Sequence, residues 1–258
     1  MSRRPLLALG LHLARRGIMP VLALGVCGLT VVVLVILAFA LGAKGPNAPV
    51  HDVPLIASGA LAWGGAFLLA FAAASHALRR DRADGVRDLV SLRTTSLGGY
   101  LVTRVGGLAV LLALLVAGGT LLCGGASLLA AARIGAVPKT LQATVAGVVY
   151  GLAFAAVVAP VAFAALGSRS RFGGYLYLVG VVVVPELVAA ALENVIPVQV
   201  SEVLAIPAAL GALRAGLSPG SVDPFRVLRA ALALAVFTMI AVALVRREAI
   251  LVEKEAEP

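Results

Sequence analysis

Residues 75–104 read SHALRRDRADGVRDLVSLRTTSLGGYLVTR, a charged island between two long apolar runs. It holds Arg79, Arg80, Arg82, Arg87, Arg93 and Arg104 beside Asp81, Asp84 and Asp88. Nearly everything around it is apolar. Of 258 residues, 61% are hydrophobic and only 13% charged, and the mean hydropathy is +1.06. A soluble domain carries roughly 25% charged residues, so this chain lacks the polar surface to cover a globule. The expected solvent is lipid, and the island is the part best placed to meet a water-borne partner.

A net charge of +9 raises nucleic acid as a partner. The basic residues, however, come in short clusters between apolar runs, the pattern of loops held on the cytoplasmic side of a membrane. No nucleic-acid partner is therefore expected. Cys27 and Cys123 each lie inside an apolar run, with no metal-type neighbour and no disulfide framework. They read as packing residues.

Moving outward from the island, about 20 apolar residues suffice to span a bilayer, and six stretches qualify. They are about Met19–Leu41, Pro54–Ala74, Tyr100–Ala132, Leu141–Leu166, Gly173–Leu192 and Pro224–Val245. The third is longer than a bilayer and predicts tilt or projection beyond it. The sixth opens with Asp223 as N-cap and Pro224 at the first helical position. The expected fold is one all-α polytopic membrane domain over residues 1–258 with six transmembrane helices.

Residues 1–18, with Arg3, Arg4, Arg15 and Arg16, predict an interfacial helix on the cytoplasmic face. An export signal fits less well, because no small-residue cleavage site follows. With both termini cytoplasmic, 15 of the 21 Lys and Arg residues fall on the inner side and 6 on the outer, the positive-inside bias. A multi-pass protein of a bacterial inner membrane is expected.

Two loops are too long to be turns, residues 75–99 and 193–223. The second contains SEVLAIPAALGALRAGL, too short and too broken by Pro207 to cross, and it predicts a re-entrant or interfacial helix. In the first, Val86, Leu89 and Val90 fall at i, i+3, i+4 on one face of a short amphipathic helix. Arg80 with Asp84, and Asp84 with Arg87, support its polar face. Gly85 would cost about 1 kcal/mol inside a helix, so it marks a turn or a close backbone approach. Gly147 and Gly151 have GxxxG spacing, which permits close helix contact, although 28 glycines produce such spacings by chance.

The string Asp81-Arg82-Ala83-Asp84-Gly85 sits just after the second apolar run. Leu89 and Leu92 follow, then Thr94-Thr95-Ser96, then Tyr100 to Arg104 leading into the third run. This arrangement resembles the membrane-spanning (permease) subunit of a type 2 ABC transporter. It departs from that family's usual pattern in lacking a proline near Arg93 to Thr95 and in carrying Arg104 where lysine is common. The resemblance implies that residues 75–99 form a cytoplasmic coupling helix between spans two and three. Asp81, Arg82, Asp84, Gly85, Val86 and Leu89 would then meet a separate ABC ATPase subunit. It further implies a second permease copy, and ATP and Mg bound by the ATPase, with no cofactor in this chain.

The residues agree that this chain does not hydrolyse ATP. No GxxxxGK[ST] loop occurs, and Lys139-Thr140 lacks the glycine that would let backbone N–H groups reach phosphates. His12, His51 and His76 lie near run ends or in loops, and no serine has a nucleophile setting with a histidine base. Metal-ligand clusters are missing. No catalytic, cofactor-binding or metal residue is expected.

Glu186 stands apart. It lies 13 positions into the fifth run, roughly 20 Å along an unbroken helix, and an acid at membrane depth is a functional candidate. Pro185 before it favours a helix break, with Glu186 opening an outer segment that includes Glu193 and Asn194. Pro185 and Glu186 are thus candidates for a translocation pathway or for a helix interruption. The reading that follows is an ATP-driven exporter permease for a hydrophobic or lipid-linked substrate. The alternatives are an ion-coupled secondary carrier using Glu186, and a non-transporting membrane scaffold.

Overall fold

The computed structural model describes residues 18–45, 47–85, 97–167, 171–193, 200–220 and 222–254. The expected interfacial helix at residues 1–18 lies almost wholly outside them. Among the described residues the chain is helical, with turns and no strand. In order come α1 (Ile18–Gly42), α2 (Asp52–Ala74), α3 (Ala77–Ala83) and α4, which runs from Leu97 to Ala132. They are followed by α5 (Val137–Leu166), α6 (Arg171–Glu193), α7 (Ser201–Leu204), α8 (Ile206–Leu217) and α9 (Pro224–Lys254).

Among the described residues, five helices are long and apolar enough to cross a bilayer: α1, α2, α4, α5 and α9. Their sequences explain them, being runs of Leu, Val and Ala whose backbone groups can be satisfied in lipid only within a helix. The fifth predicted run is a helix too, but its apolar part covers only Leu176–Leu192. As expected, α4 is overlong. Its 34 residues from Gly99 to Ala132 extend about 51 Å at 1.5 Å per residue, against about 30 Å of hydrocarbon.

The core forms around α5, which packs on α2, α4, α6, α8 and α9. Of its most apolar window 72% is buried within the chain, against 22% for α1 and for α9. Those two are rim helices, and α1 turns Val21, Leu22, Leu29, Val32 and Ile36 outward. Two glycines let α5 come this close. A Cβ on Gly151 would lie 2.7 Å from the Ala117 nitrogen, and one on Gly147 would lie 3.0 Å from the Pro54 carbonyl oxygen. The GxxxG spacing is therefore used inside the chain, against α4 and α2.

The bundle has two ends. At one, the α2–α3 corner meets the last turn of α5; at the other lie Asp52, Val137 and Asp223. There Asp223 Oδ1 accepts the backbone N–H groups of Phe225 and Arg226, both at 3.1 Å, the cap that the sequence predicts. Helix α8 begins after Ala205, in extended conformation, and has Pro207 in its first turn. Its twelve residues are too few to traverse the bundle. Ile206 reaches the middle beside Trp63 and Val158, while Gly216 packs on Val227 at the Asp223 end.

One expectation fails. Pro185 does not break its helix: α6 runs continuously from Arg171 to Glu193 with Pro185 inside it. A proline removes one backbone donor and crowds the preceding turn, and here the helix absorbs both.

Candidate functional site

The charged island is built onto the end of the bundle by its first ten residues. Ser75 leaves the helical region and His76 adopts a left-handed φ of 54°, which turns the chain back over α5. The His76 N–H then donates to Leu166 O at 3.0 Å and the Leu78 N–H to Gly167 O at 3.1 Å. Carbonyls at a helix C-terminus have no partner of their own; here the α2–α3 corner supplies it. Helix α3 buries Ala77, Leu78 and Asp81 and exposes Arg79, Arg80, Ala83 and Asp84.

Asp81 ties α3 to α4. Its Oδ2 accepts the Tyr100 hydroxyl at 2.7 Å, and Arg104 Nε lies 2.6 Å away. The Arg104 contact is an ion pair without the straight N–H···O line of a hydrogen bond. The guanidinium in turn lies over the Phe163 ring of α5, 5.8 Å from its centroid, a cation–π contact. Burial pushes the Asp81 carboxyl above the ordinary carboxylate range. Arg104 and the Tyr100 hydroxyl pull it back only in part, and Asp84 adds slightly to the rise.

The predicted coupling residues thus separate. Asp81 turns inward as an anchor, whereas Asp84 is exposed. Gly85 has φ +65°, a turn position that favours glycine and ends α3, as its helix-breaking cost predicts. Arg82 lies within α3, but its side chain is outside the described structure, and so are Val86 and Leu89.

Deeper in the bundle a second polar network joins α2, α5 and α8. Trp63 Nε1 donates to the Tyr150 hydroxyl at 2.8 Å. Arg214 donates to Leu55 O at 2.8 Å, reaches Ser58 Oγ at 3.4 Å, and lies over the Tyr150 ring at 5.1 Å. Trp63 sits in a π turn over Leu61–Ala66, which packs against a second π turn at Leu114–Gly118 of α4. Such turns are frequent at functional sites. Beside Trp63, the space between Phe67, Phe71, Val158, Leu178 and Ile206 is only about 10 Å³, at the lower limit for one water. The bundle is tightly packed around these side chains.

At the Asp223 end, Glu202 of α7 is buried and meets Arg226 and Arg229 of α9. Arg226 Nε donates to Oε1 at 2.8 Å, and Arg229 pairs with Oε2. Glu186 joins neither network. It is exposed on α6 among the exposed Val183, Val184, Leu187 and Val188. Among the described residues, no three His, Cys, Asp or Glu side chains come together as metal ligands would.

Sequence reading alone misses three pairings: Asp81 with Arg104, Arg214 with α2, and Glu202 with Arg226 and Arg229. Lone charges in apolar context were the available signal, since such groups need partners. Comparison with family models, curated proteins and solved structures gives no match. The fold of the described residues defines the class: helical throughout, with five helices among them long and apolar enough to cross a bilayer.

Proposed function

We propose that the chain is the permease subunit of an ATP-driven ABC exporter. In this reading it has six spans, α6 being the fifth, both termini are cytoplasmic, and it sits in a bacterial inner membrane. It works as a dimer with separate ATPase subunits that bind ATP and Mg. The observation that carries the reading is the clamping of α3 onto α4 and α5, with Arg79, Arg80, Ala83 and Asp84 left facing outward. A force on that face passes through Asp81 and Arg104 into the first turns of α4, and through His76 and Leu78 into the end of α5. The residues that receive a partner differ from those that transmit its push.

In this account, ATP-driven closure of the ATPases presses α3 and shifts the spans between inward-open and outward-open states. The tight middle at Trp63 and Ile206 is what such a switch opens. Its apolar walls suit a hydrophobic or lipid-linked substrate. Glu186, the coupling acid of the carrier alternative, lies on the outside of α6 rather than in that tight middle.

Purification of the native protein in mild detergent tests the proposal. An ATPase subunit is expected to accompany the wild type and to be lost with Asp84→Lys at equal expression. If no ATPase accompanies the wild type, the ABC reading fails and the scaffold or carrier reading takes its place.

A further inference from the structure

At the Asp223 end, α7 and the first turns of α9 flank an open groove of about 800 Å³. Leu228, Leu232, Val236 and Phe237 form one apolar wall, and Val203 and Leu204 the other. Arg226 and Arg229 stand at its mouth with side chains 34% and 42% exposed. Each holds Glu202, itself 6% exposed. A guanidinium has five N–H donors, so after this shared carboxylate both arginines retain donors at the mouth. Asp223, also at the groove, directs Oδ1 to the backbone N–H groups of Phe225 and Arg226.

The apolar wall continues from Arg229 to Phe237, about 12 Å along the helix. A small anion would meet the arginines and leave that wall uncovered. A neutral hydrocarbon would fill the wall and ignore the arginines. An amphiphile with a phosphate head and an acyl chain satisfies both, because the guanidinium fork matches phosphate oxygens and the chain covers the leucines. From this complementarity we infer that the groove binds a phospholipid, with its phosphate on Arg226 and Arg229. Glu202 acts as a positioning residue that holds both guanidinium groups at the mouth. The inference rests on the long helices lying in a bilayer and does not depend on ATPase coupling.

Native mass spectrometry of the full chain in mild detergent tests it, with phosphatidylglycerol or the diacylglycerol of equal chain length, which lacks the phosphate, added. The wild type is expected to retain phosphatidylglycerol about tenfold better, the factor one charge-assisted hydrogen bond to phosphate supplies. The triple variant Glu202→Gln, Arg226→Gln, Arg229→Gln is expected to show no preference. Leu232→Trp fills the groove and leaves the charges in place, and it should lower phosphatidylglycerol retention. Equal retention of the two lipids by the wild type overturns the inference. So does undiminished retention by Leu232→Trp, which decides the matter even if the triple variant fails to fold. Excess inorganic phosphate should leave the bound lipid in place; displacement overturns the lipid assignment in favour of a simple anion site.

Discussion

Arg104 Nε and Asp81 Oδ2 lie 2.6 Å apart at the end of the bundle, and the two side chains are only 5% and 3% exposed. Removing one partner of such a pair leaves an uncompensated buried charge, which costs about 3–5 kcal/mol, whereas replacing both by apolar groups is often neutral. Asp81→Ala should therefore be strongly destabilising in thermal unfolding in detergent, and Asp81→Leu with Arg104→Met close to wild type. A double variant as unstable as the single one would mean that the pair does more than neutralise itself.

The same carboxyl sets a pH dependence. Its folded value is raised, chiefly by burial. Between the ordinary carboxylate value and that raised value, the native chain holds a proton that the unfolded chain has released. Asp81's favourable share is thus complete below the ordinary value and is lost as pH rises through the raised one. Stability should fall as pH rises from about 4, and Asp81→Asn should remove that part of the slope. An unchanged pH profile in Asp81→Asn would assign the slope to other groups.

Glycine contacts separate packing from propensity. A Cβ at Gly151 meets the Ala117 backbone at 2.7 Å, while Gly125 has nothing within 4 Å. Gly151→Ala should destabilise by about 1–3 kcal/mol through overpacking. Gly125→Ala should be neutral or stabilising by up to about 1 kcal/mol, because alanine favours the helix. Comparison of the two melting temperatures checks this directly.

Arg214 pins α8 to α2 by its bond to Leu55 O. Hydrogen bonds to charged groups contribute about 1.5–3 kcal/mol, so Arg214→Met should lower the melting temperature by about 5 °C for a chain of this size. Arg214→Lys should recover only part of the loss, since lysine lacks the planar fork that bonds and stacks together. Full recovery by lysine would show that charge alone matters there.

Helix positions were legible wherever composition alone decides them. The apolar runs fix α1, α2, α4, α5 and α9, Asp223 and Pro224 mark the start of α9, and Gly85 marks the end of α3. Tertiary partners were not legible. Nothing local distinguishes Asp81 from Asp84, although the first is buried and the second exposed, because their fates depend on Tyr100 and Arg104 in another helix. The outcome at Pro185 was likewise hidden, since a proline can bend or merely interrupt one bond of a helix that its neighbours hold. Arg214 looked like an outer-loop charge, and only the inward course of α8 makes it a latch.

The central claim is that the exposed face of α3 receives an ATPase. Cysteine cross-linking at Ala83 measures this most directly, because Ala83 is exposed while the native Cys27 and Cys123 are buried. Ala83→Cys in native membranes, treated with a short thiol–amine cross-linker, should give an adduct with an ATPase subunit. Val222→Cys, exposed at the opposite end, should give none. An ATPase adduct from Val222→Cys and none from Ala83→Cys would contradict the account.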